Sequence, residues 1–264
     1  MIGTTLIESL VQSVALTHHV QGYSRASLLL LAAPESGKTT ITTAANCEHV
    51  TRIALITGKS VLRELRDHPT TEFLLFNDLS TVRAMSHQAV SLLVTILNQL
   101  TQGESGMVAF AGREAEKIDR TIGIIGCMPF TTFKDHRSRW RELGFISRML
   151  PFAYHYKMEL VARIKDSIDD GTQQKAKQPR KEMVKVPKTL RVHANTRYTR
   201  QIRHLADAKA TTLDQLGIRL LANYHVLARG HALLNKRRVV TASDLDFLEA
   251  VNAHVSISET KELS

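Results

Sequence analysis

The chain has 264 residues, of which 43% are hydrophobic, a formal net charge of +10 and only two cysteines, Cys47 and Cys127. This length and composition supply a core without cross-links, and two distant cysteines suggest neither a disulfide framework nor a cysteine zinc site. The positive balance points to a polyanionic partner, nucleic acid before an anionic membrane surface.

Leu6, Leu10, Val11 and Val14 recur at helical spacing near the start, with Glu8, Gln12, His18 and His19 among the apolar residues. An amphipathic helix is expected there, with neither a basic leader nor the roughly 20 apolar residues of a spanning helix, so the expected setting is cytoplasmic and off the membrane. Next, the apolar run Leu28-Leu29-Leu30-Leu31 enters Ala32-Ala33-Pro34-Glu35-Ser36-Gly37-Lys38-Thr39-Thr40. Strand, turn and helix in that order, with Gly-Lys-Thr at the elbow, fit a phosphate-binding loop. Backbone N–H groups of Pro34 to Thr40 (proline excepted) would wrap phosphates, Lys38 would reach the β and γ oxygens, and the Thr39 hydroxyl would bind Mg²⁺. The helix start would add its positive dipole end. Ala32 stands where the full pattern has its first glycine. An ATP or GTP site with Mg²⁺ is expected.

Arg52 to Thr57 reads as a second buried strand and Lys59 to Arg66 as a short helix with Val61, Leu62 and Leu65 on one face. Glu72 to Asp78 is an apolar run ending in an acid, as in a central parallel strand that carries a carboxylate to a nucleotide. Ser86 to Leu100 forms an amphipathic helix striped by Val90, Leu93, Ile96, Leu97 and Leu100. Met107 to Ala111 reads as a strand in a glycine-bounded insertion that also holds Arg113, Lys117 and Arg120, and Thr121 to Cys127 as a further buried strand. Strands alternating with helices predict a doubly wound α/β sheet.

A helix is expected over Ala153 to Ile168, broken by Asp169-Asp170-Gly171-Thr172. A basic stretch follows from Lys175 to Arg203, including Lys185, Lys188 and Arg191 and opposed by Glu182 alone; it is either a solvated linker or a phosphate-contacting surface. One long helix is expected over Thr212 to Leu234, and another starts at Thr241-Ala242-Ser243-Asp244, making the C-terminal part all helical. The domains expected are an α/β unit over 1–171, a basic linker over 172–189 and a helical unit over 190–264. The twelve histidines do not suggest a metal site: adjacent His18 and His19 would face different ways on a helix, and His225 and His231 lack partners at ligand spacing.

These motifs in this order resemble the AAA+ ATPases, and among them the clade of the minichromosome maintenance helicases. The resemblance implies a P-loop AAA+ core with a parallel, doubly wound sheet and a smaller all-helical C-terminal lid. The strand ending at Asp78 is similar to the Walker B element, where one carboxylate holds Mg²⁺ and a second acid polarises the attacking water. Gly144-Phe145-Ile146-Ser147-Arg148 is similar to the segment whose arginine reaches the γ-phosphate of a neighbouring subunit; a surface ion pair is the plainer role for Arg148. Ile218-Arg219-Leu220-Leu221, with Ala228 to Leu234 and Val239 to Asp244, looks like the lid, whose sensor-2 arginine falls on Arg219. The insertion from Gln102 to Arg120 sits where such helicases carry a channel-facing hairpin, which makes Lys117 and Arg113 candidate nucleic-acid contacts beside Lys185, Lys188 and Arg191.

Two departures bear on catalysis. The usual acidic pair is Asn77-Asp78, so either Asp78 is the Mg²⁺ carboxylate, the reading favoured here, or Asn77 takes that place and Asp78 the base position. The strand before Pro129 ends Gly126-Cys127-Met128 instead of in a polar sensor-1 residue. The expected function is an ATP-binding protein that forms a homo-oligomeric ring or filament and acts on DNA as a small motor or loader, as in replication of a mobile element, with a protein partner supplying recognition. The alternative is a nucleotide-gated assembly module with slow or absent hydrolysis that recruits a partner. A monomeric nucleotide kinase would leave Arg148 and the lid unexplained.

Overall fold

The computed structural model describes residues 5–45, 47–54, 56–103, 106–108, 116–118, 120–169, 190–213 and 217–263, with the backbone alone for 106–108, 116–118, 163, 164, 167 and 168. It begins with α1 (Thr5–Ala15), a 3₁₀ turn over Leu16–His19 and β1 (Leu28–Ala32). Then come α2 (Lys38–Thr42), β2 (Val50–Ile53), α3 (Gly58–Asp67), β3 (Phe73–Phe76), α4 (His87–Gln102) and a hairpin of β4 (Gly106–Val108) and β5 (Glu116–Ile118). The chain continues with β6 (Gly123–Pro129), α5 (Phe130–Glu142), β7 (Leu150–Tyr156), α6 (Met158–Asp169), α7 (Thr196–Leu213), α8 (Ile218–Leu234), α9 (Ala242–His254) and β8 (Lys261–Leu263).

Six strands form one all-parallel sheet in the order β2-β3-β6-β1-β7-β8, and β4 and β5 pair separately as an antiparallel ribbon. β1, β3 and most of β6 are wholly buried, as continuous apolar runs must be when both sheet faces are covered. From β1 the chain crosses back to the β2 edge, then advances through β3 and β6 and steps over β1 to β7. Right-handed crossovers therefore set α3, α4 and α5 on one face and α2 on the other, where α1 packs on it. The reversal at β1 makes the carboxyl ends of β1 and its neighbours the crevice in which α/β sheets hold ligands.

Local chemistry sets the helix starts. The Thr57 hydroxyl accepts the Ser60 N–H at 3.0 Å ahead of α3, and the Ser86 hydroxyl accepts the Ala89 N–H at 3.2 Å ahead of α4. Among the described residues no helix is long and apolar enough to cross a membrane.

The structure corrects several expectations. The helix expected from Ala153 begins only at Met158, because Leu150–Tyr156 is β7, paired along β1. The second strand lies earlier, over Val50–Ile53, and is a half-exposed edge. Thr212 to Leu234 is not one helix: α7 ends at Leu213, and α8 starts after Gly217, whose φ of +77° breaks the helical path. The C-terminal part is not all helical, since β8 joins the sheet beside β7. His18 and His19 do not face apart; their ring centroids lie 3.7 Å apart, with the His49 ring tilted 4.9 Å from that of His18. His231 does have an acid partner, Asp244.

The C-terminal helices are bound to the N-terminal ones by close packing. α8 lies along α1, and a Cβ at Gly230 would come within 2.3 Å of the Ser13 carbonyl oxygen, so glycine is what permits the approach. Asp244 is fully buried at the start of α9. It accepts hydrogen bonds from Arg237 (2.6 and 2.8 Å), from His231 Nδ1 (2.7 Å) and from the Thr241 N–H (2.7 Å). Burial alone would raise its carboxyl, but these donors outweigh burial and hold it at about 2. A carboxylate depressed in the folded state stabilises the fold above its ordinary 3.8 and loses that contribution as pH falls through about 2. Asp244→Asn should lower stability by about 3 kcal/mol at neutral pH, and its penalty should shrink between pH 4 and pH 2, read by thermal melts of both proteins.

Candidate functional site

β1 ends at Ala32, held in the sheet opposite Pro129, so this position needs no glycine: it is strand, not turn. The turn is made further on, where Glu35 (φ +61°) and Gly37 (φ +70°) both take the left-handed conformation. A glutamate there is a local strain of the kind that persists where surrounding contacts enforce it. Those contacts come from β7: Tyr156 and Tyr154 donate their phenolic O–H to the Ser36 carbonyl at 2.9 and 3.4 Å. Burial pushes the Tyr156 hydroxyl up to about 12 and that of Tyr154 higher, so both remain donors. The helix expected from Ala153 hides these tyrosines; the density of strand-favouring aromatic residues in Phe152-Ala153-Tyr154-His155-Tyr156 is the signal that marks them.

Lys38 turns back into the loop. Its ammonium donates to the Ala33 carbonyl (2.5 Å), the Ser36 hydroxyl (3.1 Å) and the Ala32 carbonyl (3.2 Å). Burial pulls this amine below the usual lysine range, and the Asp78 carboxylate acts against that shift. Thr39 and Thr40 are exposed at the start of α2, which has five residues and passes into a 3₁₀ turn. So short a helix contributes little dipole; the groups there that could hold an anion are the loop amides and Lys38.

At the end of β3, Asn77 and Asp78 diverge. The Asn77 carboxamide oxygen accepts from Thr42 and Arg52, each at 3.5 Å. Asp78 is exposed and caps a 3₁₀ turn, accepting from the Ser80 N–H at 2.8 Å and the Ser80 hydroxyl at 2.7 Å. Thr39 and Asp78 are hard oxygen donors of the type that Mg²⁺ takes. β6 ends between β1 and β3 with buried Cys127 and Met128. Burial pushes the Cys127 thiol up to about 12, so it is neutral and unsuited to orient water. Thr131, exposed in the first turn of α5 just beyond β6, is the nearest hydroxyl in sequence to that strand end.

The two candidate arginines lie elsewhere. Arg148 sits in a 3₁₀ turn before β7, its guanidinium on the Gly144 carbonyl and the Gln102 side-chain oxygen. Arg219, in the first turn of α8, reaches the same Gln102 oxygen at 3.3 Å and the Ser147 hydroxyl at 2.8 Å. Gln102 closes α4 and Arg148 precedes β7, so both arginines stand at the amino ends of the parallel strands, away from the loop that follows β1. The β4–β5 hairpin interrupts the chain at this end too, ahead of β6. Ile218, beside Arg219, is 73% exposed.

Of the expected nucleic-acid contacts, Arg191 is exposed, and Lys117 is placed on the backbone of β5. Arg113, Lys185 and Lys188 lie outside the described residues. No group of His, Cys, Asp and Glu among the described residues has the arrangement of a metal site. Comparison with known proteins found no matching family model and no matching curated sequence.

Tyr156→Phe removes one donor from the Ser36 carbonyl without altering the core. On the proposal below that this loop binds Mg²⁺-ATP, affinity should fall about fivefold, the worth of one hydrogen bond, with the thermal midpoint nearly unchanged; titration of a fluorescent ATP analogue checks this.

Proposed function

We propose that this chain is an ATP-binding protein of the AAA+ type that assembles with copies of itself and acts on DNA as a small motor or loader. The observation that carries the reading is the loop from Glu35 to Thr39 at the carboxyl end of β1, with Lys38 turned into it and Asp78 following the same end of β3. Lys38 and the loop amides would bind the β and γ phosphates, while Thr39 and Asp78 would hold Mg²⁺, which screens phosphate charge when bound. To serve the phosphates Lys38 must exchange its contacts with the Ala32 and Ala33 carbonyls for phosphate oxygens.

Arg148 and Arg219 support assembly. Both stand at the opposite end of the strands from their own loop, beside exposed Ile218, which suits cations offered to the nucleotide of a neighbouring copy. A cation donated in trans neutralises developing charge only when the subunits are aligned, so hydrolysis becomes contingent on assembly. The net charge of +10 suits DNA as the polyanion.

A specific observation favours slow turnover. Asp78 is engaged by Ser80, and the end of β6 offers a neutral thiol and a thioether where a water-orienting group belongs. Nucleotide would then act chiefly by ordering the assembly, and phosphate release unaltered by DNA would favour that second reading.

Lys38→Ala should abolish ATP binding. Arg148→Ala should leave binding by the isolated chain intact but lower turnover on the order of a thousandfold. Mixing the two variants should restore part of the turnover, because Lys38→Ala subunits present Arg148 to intact loops. Loss of ATP binding in Arg148→Ala, or no recovery on mixing, would contradict action in trans.

A further inference from the structure

A second basic surface lies on the C-terminal helices, outside the phosphate loop and the two arginines at Gln102. Residues 190–206 hold four arginines and two histidines and no acid. Arg197, Arg200 and Arg203 follow one another every three residues on the exposed side of α7, whose other side buries Ile202, Ala206, Ala210 and Leu213. Each step rises about 4.5 Å, which makes a graded row of cations along the helix.

An aromatic ring lies against α8, the helix on which α7 packs. Leu190 pairs with Val20, and its carbonyl accepts the Gln21 N–H at 3.1 Å, which brings exposed Arg191 next to the Gln21–Tyr23 turn. Tyr23 is 36% exposed, and the Arg229 guanidinium lies 4.5 Å from its ring centroid. Arg229 is itself buried, donating from Nε to the Val192 carbonyl at 3.1 Å and from a terminal nitrogen to the His225 carbonyl at 2.8 Å. Among the described residues these partners are neutral, so the cation under Tyr23 keeps its charge while holding the ring in place. The arginine row is joined to this ring through α8: α7 packs on α8, whose His225 ring lies 6.4 Å from that of Tyr23.

We propose that Tyr23, Arg191 and the exposed side of α7 form a binding surface for single-stranded DNA, with the arginines on phosphates and an unpaired base stacked on Tyr23. This rests on the reading above that the protein acts on DNA, and adds which part of the chain holds the strand and in what form. A row of guanidinium groups suits any polyanion, but an exposed, cation-backed aromatic ring suits one that carries planar bases. In a duplex those base faces are stacked on each other, so the unpaired strand is the form that fits.

The test is binding of a labelled deoxythymidine oligonucleotide by the full chain over a range of salt, with thermal melts and ATP binding confirming that each variant is folded. The triple variant Arg197→Gln, Arg200→Gln, Arg203→Gln should lower the slope of log affinity against log salt by about 2, from roughly 0.7 per phosphate contact on single strands. Tyr23→Ala should weaken binding about tenfold, and Tyr23→Phe should restore it. Duplex DNA and inorganic polyphosphate should compete poorly. Wild-type protein that binds no strand would overturn this surface and the DNA-acting reading together. Strong binding left unchanged by the variants would overturn the surface alone. Equal competition by polyphosphate or tighter binding of the same sequence as RNA would overturn the assignment to single-stranded DNA.

Discussion

Every strand of the central sheet runs in the same direction, and this polarity decides where the chemistry collects. The carboxyl ends of β1, β3, β6 and β7 bring together the loop with Lys38, the Asp78 carboxylate, the Cys127 thiol and the tyrosines that grip Ser36. The amino ends gather Gln102, Arg148 and the hairpin ahead of β6, and the first turn of α8 adds Arg219 to them. Parallel strands demand crossover connections, so consecutive strands return to the same starting edge and the two ends of the sheet stay chemically distinct. A single copy thus carries Lys38 and the loop amides at one end and the Arg148 and Arg219 guanidinium groups, held on Gln102, at the other. That separation is what makes a neighbouring copy a natural recipient of the arginines in the proposed function.

The loop depends on β7 as much as on β1. Glu35 and Gly37 hold left-handed conformations, and the Ser36 carbonyl between them is fixed by two phenols whose protons burial retains. β7 is in turn held by β8 and by the bridge from Phe152 to Val255, so the C-terminal end of the chain braces the strand that braces the loop. Gly230 and Asp244 extend this bracing, one by letting α8 close on α1, the other by tying α9 to Arg237 and His231. The loop and the C-terminal helices are therefore connected through packed elements.

Much of this was legible in the residues. The run from Leu28 to Thr40 declared strand, turn and helix because a buried parallel strand is continuously apolar and the loop chemistry admits few residue types. Glu72 to Asp78 and the capped helix after Ser86 were legible for the same local reasons. β7 was not: a strand buried on both faces has no alternation, and its apolar residues run on into α6, so periodicity cannot separate the two. β8 has three residues and exists only because the edge of β7 is there to pair with it. The approach of His18 to His49 and the meeting of Arg148 and Arg219 at Gln102 join residues remote in sequence, and nothing local announces them. The basic stretch was visible as charge, but its aromatic companion Tyr23 comes from the opposite end of the chain.

The central claim is that the loop binds nucleotide and that the arginines at the far end of the sheet complete the site of another copy. The most direct measurement is the mass of the purified protein in solution, by light scattering, without nucleotide and with ATP and Mg²⁺. The account predicts a defined increase to an oligomer only when both are present. An unchanged monomer mass in the two conditions would contradict it, leaving Arg148 and Arg219 as groups that serve the fold of their own chain.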